Sequence, residues 1–153
     1  MIKTILFDLD GTLLNTIDDL ADAGNWVCAQ HGWPTFSVGQ FKHMVGNGIP
    51  KLVERFSPAE ARTPEQLAAT LAEFTARYDA HKEDKTAPYP GIPELVDALN
   101  AAGIQTAVFS NKADPLCGKI IEHYFGAGKF ALVRGSRPNV PTKPDPTGVY
   151  ALM

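Results

Sequence analysis

The sequence predicts an α/β protein: a doubly wound parallel sheet into which an all-helical subdomain is inserted. Three observations carry that prediction. Short apolar runs ending in polar residues, at Ile2 to Phe7, Ile104 to Phe109 and Phe130 to Val133, stand apart from one another, and the last two are linked through a helical repeat. Parallel neighbours require such crossovers. Between the first run and the second, residues 15 to 86 show helical spacing only, and the Pro-rich stretch Ala87-Pro88-Tyr89-Pro90-Gly91 marks the return to alternating structure.

Composition bounds the class. The chain has 153 residues, 44% apolar and 20% charged, which is enough for a sizeable core and excludes a disordered or membrane-embedded character. Lys plus Arg number 14 against 17 acids, a net charge of −3, so no polybasic surface speaks for nucleic acid or anionic lipid. A small anionic substrate would need local positive charge. Cys28 and Cys117 lie far apart and read as small buried hydrophobes in a reducing compartment. The four histidines have no metal-ligand spacing, and neither a signal segment nor a membrane-spanning run is expected. The expected address is the cytoplasm.

The first strand organises the rest. Ile5, Leu6 and Phe7 form an unbroken apolar run, as expected of a strand covered on both faces, and Asp8-Leu9-Asp10-Gly11-Thr12-Leu13 follows at its carboxyl end. Asp8 and Asp10 are two apart, a spacing that places side chains on one side of an extended backbone, and Gly11 permits a sharp turn. Paired carboxylates outside a strand's carboxyl end suit a hard cation such as Mg²⁺. A solvated acidic turn would read the same way.

The helices of 15 to 86 follow from their punctuation. Thr16 with Asp19 three residues on reads as an N-cap for a helix whose apolar positions include Ile17, Leu20, Val27 and His31, stopped by Gly32 and Pro34. Ser37 to Gln40 opens a second helix, Pro50 a third, and Thr63 to Gln66 the longest, with the stripe Leu67, Leu71, Phe74, Tyr78 and His81. Gly46-Asn47-Gly48 has two readings. It is either a helix-ending turn beside a solvated face, or a loop whose amides at Gly48 approach an anion, aided by Lys51 and Arg55.

Beyond residue 87, Pro93 and the stripe Ile92, Leu95, Val96 and Leu99 give a helix ended by Gly103. The strand Ile104 to Phe109 stops at Ser110-Asn111-Lys112, and Asp114-Pro115 caps the next helix. Ser110 stands on that strand where Asp8 stands on the first. Its hydroxyl and the Asn111 amide could donate to a phosphate oxygen, or simply mark where a strand ends. Lys143, between prolines in Thr142-Lys143-Pro144-Asp145-Pro146, is a candidate fixed cation, with Asp145 as a helix N-cap.

Asp8-x-Asp10-Gly11-Thr12, Ser110 after an apolar strand, and Lys143 before Pro144-Asp145-Pro146 resemble, in order, three of the four motifs of the haloacid dehalogenase superfamily. Gly46-Asn47-Gly48 and Tyr89-Pro90-Gly91 look most like its phosphoglycolate phosphatase branch. The resemblance implies a Rossmann-like core at 1–14 and 87–153 and a helical cap at 15–86. It implies Mg²⁺-dependent hydrolysis of a small phosphomonoester through an aspartyl-phosphate, with Asp8 as nucleophile, Asp10 as acid and then base, and Lys143 as fixed cation. Gly11, Thr12, Ser110, Asn111, Gly48 and Arg55 would contact phosphate or substrate, and Asp8 and Asp10 would hold the metal. The implied partner is a small phosphorylated metabolite, with no nucleic acid and no membrane. A sugar-phosphate mutase or a nucleotide pyrophosphatase would use the same residues, and a phosphate-binding module without turnover is the rival from another class.

The fourth motif of the resemblance, an acidic pair on a later strand, is not found before Met153. The C-terminal strands of the sheet are therefore expected to be missing, with the first strand as an apolar edge, weak Mg²⁺ binding, slow turnover and a tendency to associate.

Overall fold

The computed structural model describes residues 1–152. In chain order it contains β1 (Thr4–Phe7), β2 (Leu14–Asn15), α1 (Ile17–Gln30), α2 (Val38–Met44), α3 (Ile49–Phe56), a 3₁₀ turn at Ala59–Ala61, α4 (Pro64–His81), β3 (Ala87–Pro88), α5 (Ile92–Ala101), β4 (Gln105–Ala113), α6 (Asp114–Phe125), β5 (Leu132–Ser136) and α7 (Thr147–Tyr150). Two compact units result: Met1–Asn15 joined with the chain from Ala87 onward, and Thr16–Thr86.

In the first unit a three-stranded sheet has the order β1-β4-β5, and both of its pairings are parallel. The α/β class is thus as the alternation of runs predicts. Leu9, Leu13, Leu14, Val96, Val108, Cys117, Ile120 and Ile121 belong to its core, packed by α5 and α6. Three of these leucines flank the acidic turn and are fully buried, so the turn is anchored on both sides of Asp10 and Gly11.

Strand β1 differs from its reading. Ile5 and Phe7 are half-buried while Thr4 and Leu6 are exposed, Leu6 at 37%. The reason is position: among the described residues β1 pairs with β4 alone and forms the sheet edge. Strand boundaries also move. The second long strand runs on through Ser110, Asn111 and Lys112 to Ala113, and the third begins at Leu132 rather than Phe130. A small antiparallel ladder between β2 and β3, pairing Leu14 with Pro88 and Asn15 with Ala87, has no sequence signal, since two residues carry no periodicity.

The second unit is a four-helix arrangement around Leu20, Val27, Phe41, Leu52, Val53, Phe56, Phe74 and Tyr78. Ser37 and Gln40 form a full capping box, and the Thr63 hydroxyl accepts the Gln66 amide, as expected. The cap expected at Thr16 does not form. Asp19 turns instead to the far end of the unit, where its carboxylate accepts the backbone N–H of Lys85 (3.0 Å), the N–H of Thr86 (2.8 Å) and the Thr86 hydroxyl (2.7 Å).

Candidate active site

The acidic turn is built on one carbonyl. Leu9 O accepts the amides of Leu13 (3.0 Å) and Leu14 (3.1 Å), and Gly11, at φ 77°, returns its own N–H to Leu14 O at 2.9 Å. A side chain at 11 would be strained in that left-handed conformation, which is the physical ground for a glycine there. Asp8 and Asp10 are thereby held on a rigid turn at the carboxyl end of β1.

Each carboxylate meets its own lysine. Asp8 Oδ1 accepts the Leu9 amide at 2.7 Å and the Lys143 ammonium at 2.8 Å. The same ammonium donates to Phe109 O at 2.8 Å and lies 5.6 Å from the centre of the Phe109 ring. Lys112 Nζ, on the end of β4, stands 3.4 Å from Asp10 Oδ1.

Lys143 is placed by Asn111. The Asn111 side-chain oxygen accepts the Lys143 amide at 2.8 Å, and its Nδ2 donates to the Lys143 carbonyl at 3.2 Å. Both ends of that amide are therefore engaged in holding the lysine, and one N–H of Nδ2 is used in doing so. Ser110 is buried, and its Oγ accepts the Lys112 amide at 3.1 Å. Its own hydroxyl hydrogen is not used in that bond. Thr12 is exposed on the turn beside Gly11.

Two helix starts are built differently from their readings. Asp145 Oδ1 accepts the Thr147 amide at 2.8 Å, and hydrogen bonding from the Thr147 side chain, and after it from that amide, holds its carboxyl below its ordinary value, although Pro146 occupies the capping position of α7. Asp114 opens α6 without capping it, since its Oδ1 accepts the Gly135 amide at 2.7 Å.

Gly48 and Arg55 belong to the helical unit. Arg55 Nη1 donates to the carbonyls of Met44 (2.7 Å) and Gly46 (3.1 Å), and Nη2 to Asn47 Oδ1 (3.1 Å). Lys51 pairs with Glu54 at 2.6 Å, which draws the Glu54 carboxyl below its ordinary value. The guanidinium is thus a clasp on a left-handed loop, with positive φ at Gly46, Asn47 and Gly48. Of the two readings of this loop, the helix-ending turn describes what Arg55 does.

Lys112 is the site residue that sequence reasoning missed. It has no local signal, because a shift of register between β4 and β5 falls at Ser110 to Lys112 and decides where the side chain goes.

Among the described residues no three His, Cys, Asp or Glu side chains cluster as a ready metal site. The donors at the turn are nonetheless all oxygens: two carboxylates and the Asp10 carbonyl, Leu9 O being taken by the turn's own amides. Such a set fits Mg²⁺, which takes one or two carboxylates and fills its shell with water and substrate phosphate.

The sequence profile of the haloacid dehalogenase-like hydrolases matches residues 2–153. The chain belongs to that family. It is 36% identical over 150 residues to the phosphoglycolate phosphatase of Caulobacter vibrioides, covering 97% of this chain and 63% of that protein. It is 31% identical to the phosphoglycolate phosphatase of Pseudomonas syringae pv. tomato, covering 99% of this chain and 57% of the other. The chain thus spans less than two thirds of these relatives' length. Among solved structures, a predicted phosphoglycolate phosphatase from Haemophilus somnus aligns with a TM-score of 0.89 at 28% identity, over 99% of this chain and 70% of its own. CbbY from Rhodobacter sphaeroides, in complex with phosphate, aligns at 0.74 with 27% identity, over 99% and 71%. No helix among the described residues is long and apolar enough to cross a membrane.

Proposed function

We propose that this chain carries the catalytic turn of a phosphatase acting on a small phosphomonoester, phosphoglycolate-like in size and charge, through an aspartyl-phosphate on Asp8. The observation that carries this reading is the tether on Asp8. Lys143, itself gripped by Asn111 and Phe109, binds Oδ1 of a carboxylate on a rigid turn, and that leaves Oδ2 to attack.

Charge is the obstacle to be overcome. A phosphate dianion about 4 Å from a carboxylate is opposed by roughly 8 kcal/mol at an effective dielectric of 20. Lys143 stands at the attacking group and reduces that repulsion. Mg²⁺, when held by the Asp8 carboxylate and the Asp10 carbonyl, would add positive charge at the phosphoryl oxygens. The Asp8 carboxylate attacks phosphorus and the P–O bond to the leaving alcohol breaks. Asp10 donates its proton to the leaving oxygen, then takes one from the water that cleaves the acyl phosphate, so that it ends as it began. Ser110, Asn111, Gly11 and Thr12 are the proposed donors to phosphoryl oxygens, and Gly48 and Arg55, on the loop that Arg55 clasps, are the proposed contacts to the rest of the substrate. A free metabolite in the cytoplasm as the partner, with neither nucleic acid nor membrane, belongs to the same proposal and is supported by the buried thiols and the balanced charge.

The test measures phosphate release from phosphoglycolate and from an aryl phosphate with added Mg²⁺. Asp8→Asn should lower both by roughly a thousandfold or more. Asp10→Asn should harm phosphoglycolate far more than the aryl ester, whose leaving group needs no proton. Turnover at the parent's rate in Asp8→Asn refutes the assignment.

A further inference from the structure

The second lysine of the site has a role that the hydrolysis steps leave unassigned. We propose that Lys112 is a positioning residue: its buried ammonium fixes the carboxylate of Asp10 in the orientation from which it serves the leaving oxygen. This role rests on the phosphatase reading.

Strand register places Lys112. Phe109 pairs with Arg134 and Ala113 with Ser136, so β4 advances four residues where β5 advances two. The three residues Ser110 to Lys112 thus stand against the single residue Gly135 and form a bulge. Bulges re-aim side chains and are common beside active sites. Here the bulge is pressed against β5 at Gly135, where a Cβ would stand 2.3 Å from the Lys112 carbonyl oxygen and 2.6 Å from the backbone of Asp114. Only glycine fits.

The backbone of Lys112 is tied down on each side. Its N–H donates to Ser110 Oγ at 3.1 Å, and its carbonyl accepts the Cys117 thiol at 3.4 Å. The Gly135 amide in turn donates to Asp114 Oδ1 at 2.7 Å, which pins a neighbouring residue just past the bulge. The Lys112 side chain is left with little freedom. It is 3% exposed, against 22% for the Asp10 side chain that it meets.

An ammonium taken out of water without an anion is strongly unfavourable, and a carboxyl on the turn within reach of Lys112 Nζ is that of Asp10, which is an anion whenever it has given up its proton. The buried member of the pair is therefore the fixed one, and the more exposed carboxylate is the one being oriented. Tethered through Oδ1, Asp10 cannot rotate freely about its Cβ–Cγ bond. The two lysines divide their work accordingly, Lys143 on the nucleophile and Lys112 on the proton carrier.

The experiment compares the parent with Lys112→Met and Lys112→Arg on an alkyl phosphate, whose leaving group needs protonation, and on an aryl phosphate, whose leaving group does not. Lys112→Met should lower kcat for the alkyl ester about tenfold or more, the aryl ester less than about threefold, and leave both KM values within about twofold. Lys112→Arg, which keeps the charge, should restore most of the alkyl rate. Equal losses on both esters, or no loss in a folded Lys112→Met protein, would overturn the proposal. If Lys112→Met does not fold, Lys112→Gln must show the same split between the esters. A parent that releases phosphate from neither ester refutes the phosphatase reading instead. The positioning role is then decided by crystal structures of parent and variant: an Asp10 rotamer unchanged without the Lys112 ammonium rejects it, and a rotated one upholds it.

Discussion

Asp19 bears three donors on one carboxylate that is 2% exposed, and none of them is a cation. Truncating it strands two backbone N–H groups, one at the buried Thr86, and an unpaired buried donor costs about 1–3 kcal/mol. Asp19→Ala should therefore destabilise the protein by about 2–4 kcal/mol, read by urea unfolding, and expose the Lys85 and Thr86 amides to hydrogen exchange. Unchanged protection at both amides would show that the bonds carry no weight. Cys117 makes a different kind of prediction. Burial pushes its thiol from the ordinary 9.0 up to about 11, because the thiolate has no solvent to stabilise it. A group whose folded pKa is raised gives stability that is complete below its ordinary value and lost as pH climbs through the folded one. The loss here is on the order of 2–3 kcal/mol between pH 9 and 11. Cys28, raised by burial, and Lys85, raised by its bond to Asp22, act in the same direction. Denaturation from pH 7 to 11 should show a plateau and then a fall above about 9, and Cys117→Ala should flatten much of that fall.

At the scale of elements, α1 and α2 meet through a glycine. A Cβ at Gly24 would stand 2.5 Å from Cζ of Phe41, whose ring is fully buried and packed edge-on to Phe36 and tilted against Phe56. Alanine would gain about 1 kcal/mol of helix propensity there, but overpacking a closed core costs about 1–3 kcal/mol. The steric term wins, since Phe41 has nowhere to move. Gly24→Ala should lower stability by up to about 2 kcal/mol in thermal or urea unfolding, whereas Gly39→Ala, whose nearest neighbour is Ser37 Oγ at 3.7 Å, should be neutral or stabilising. The helices themselves are legible in the sequence because their apolar spacing and their caps agree. Thr16 is the exception, because Asp19 finds backbone donors far along the chain, and a contact across 66 residues leaves no local trace.

The molecule as a whole contains two cores that share no residue, one around Leu9, Val96 and Val108, the other around Phe41, Phe56 and Phe74. The second is built from one continuous stretch, Thr16–Thr86, with its ends tied by Asp19. A continuous segment with its own core meets the conditions for independent folding. Residues 16–86 expressed alone should unfold cooperatively by circular dichroism and calorimetry, and Asp19→Ala should shift that isolated transition as it shifts the parent's. A non-cooperative, ANS-binding fragment would show that its core needs the rest of the chain. Strand β1, by contrast, lies at the sheet edge with Leu6 exposed and Ile2 exposed just before it, which agrees with the expected apolar edge and not with a strand covered on both faces.

What the sequence settled is what local chemistry settles: alternation of runs, helix starts at Ser37 and Thr63, the glycine turn after Asp10, and the order of Asp8, Ser110 and Lys143 along the chain. Each is a property of residues within a few positions of one another or of their order alone. What the tertiary structure decided is which partner each polar group takes. Asn111 grips Lys143 across 32 residues, Arg55 closes its own loop, and a two-residue surplus in β4 against β5 carries Lys112 to Asp10. Pairings of that kind depend on register between strands far apart in sequence, and register is fixed only when the whole sheet packs.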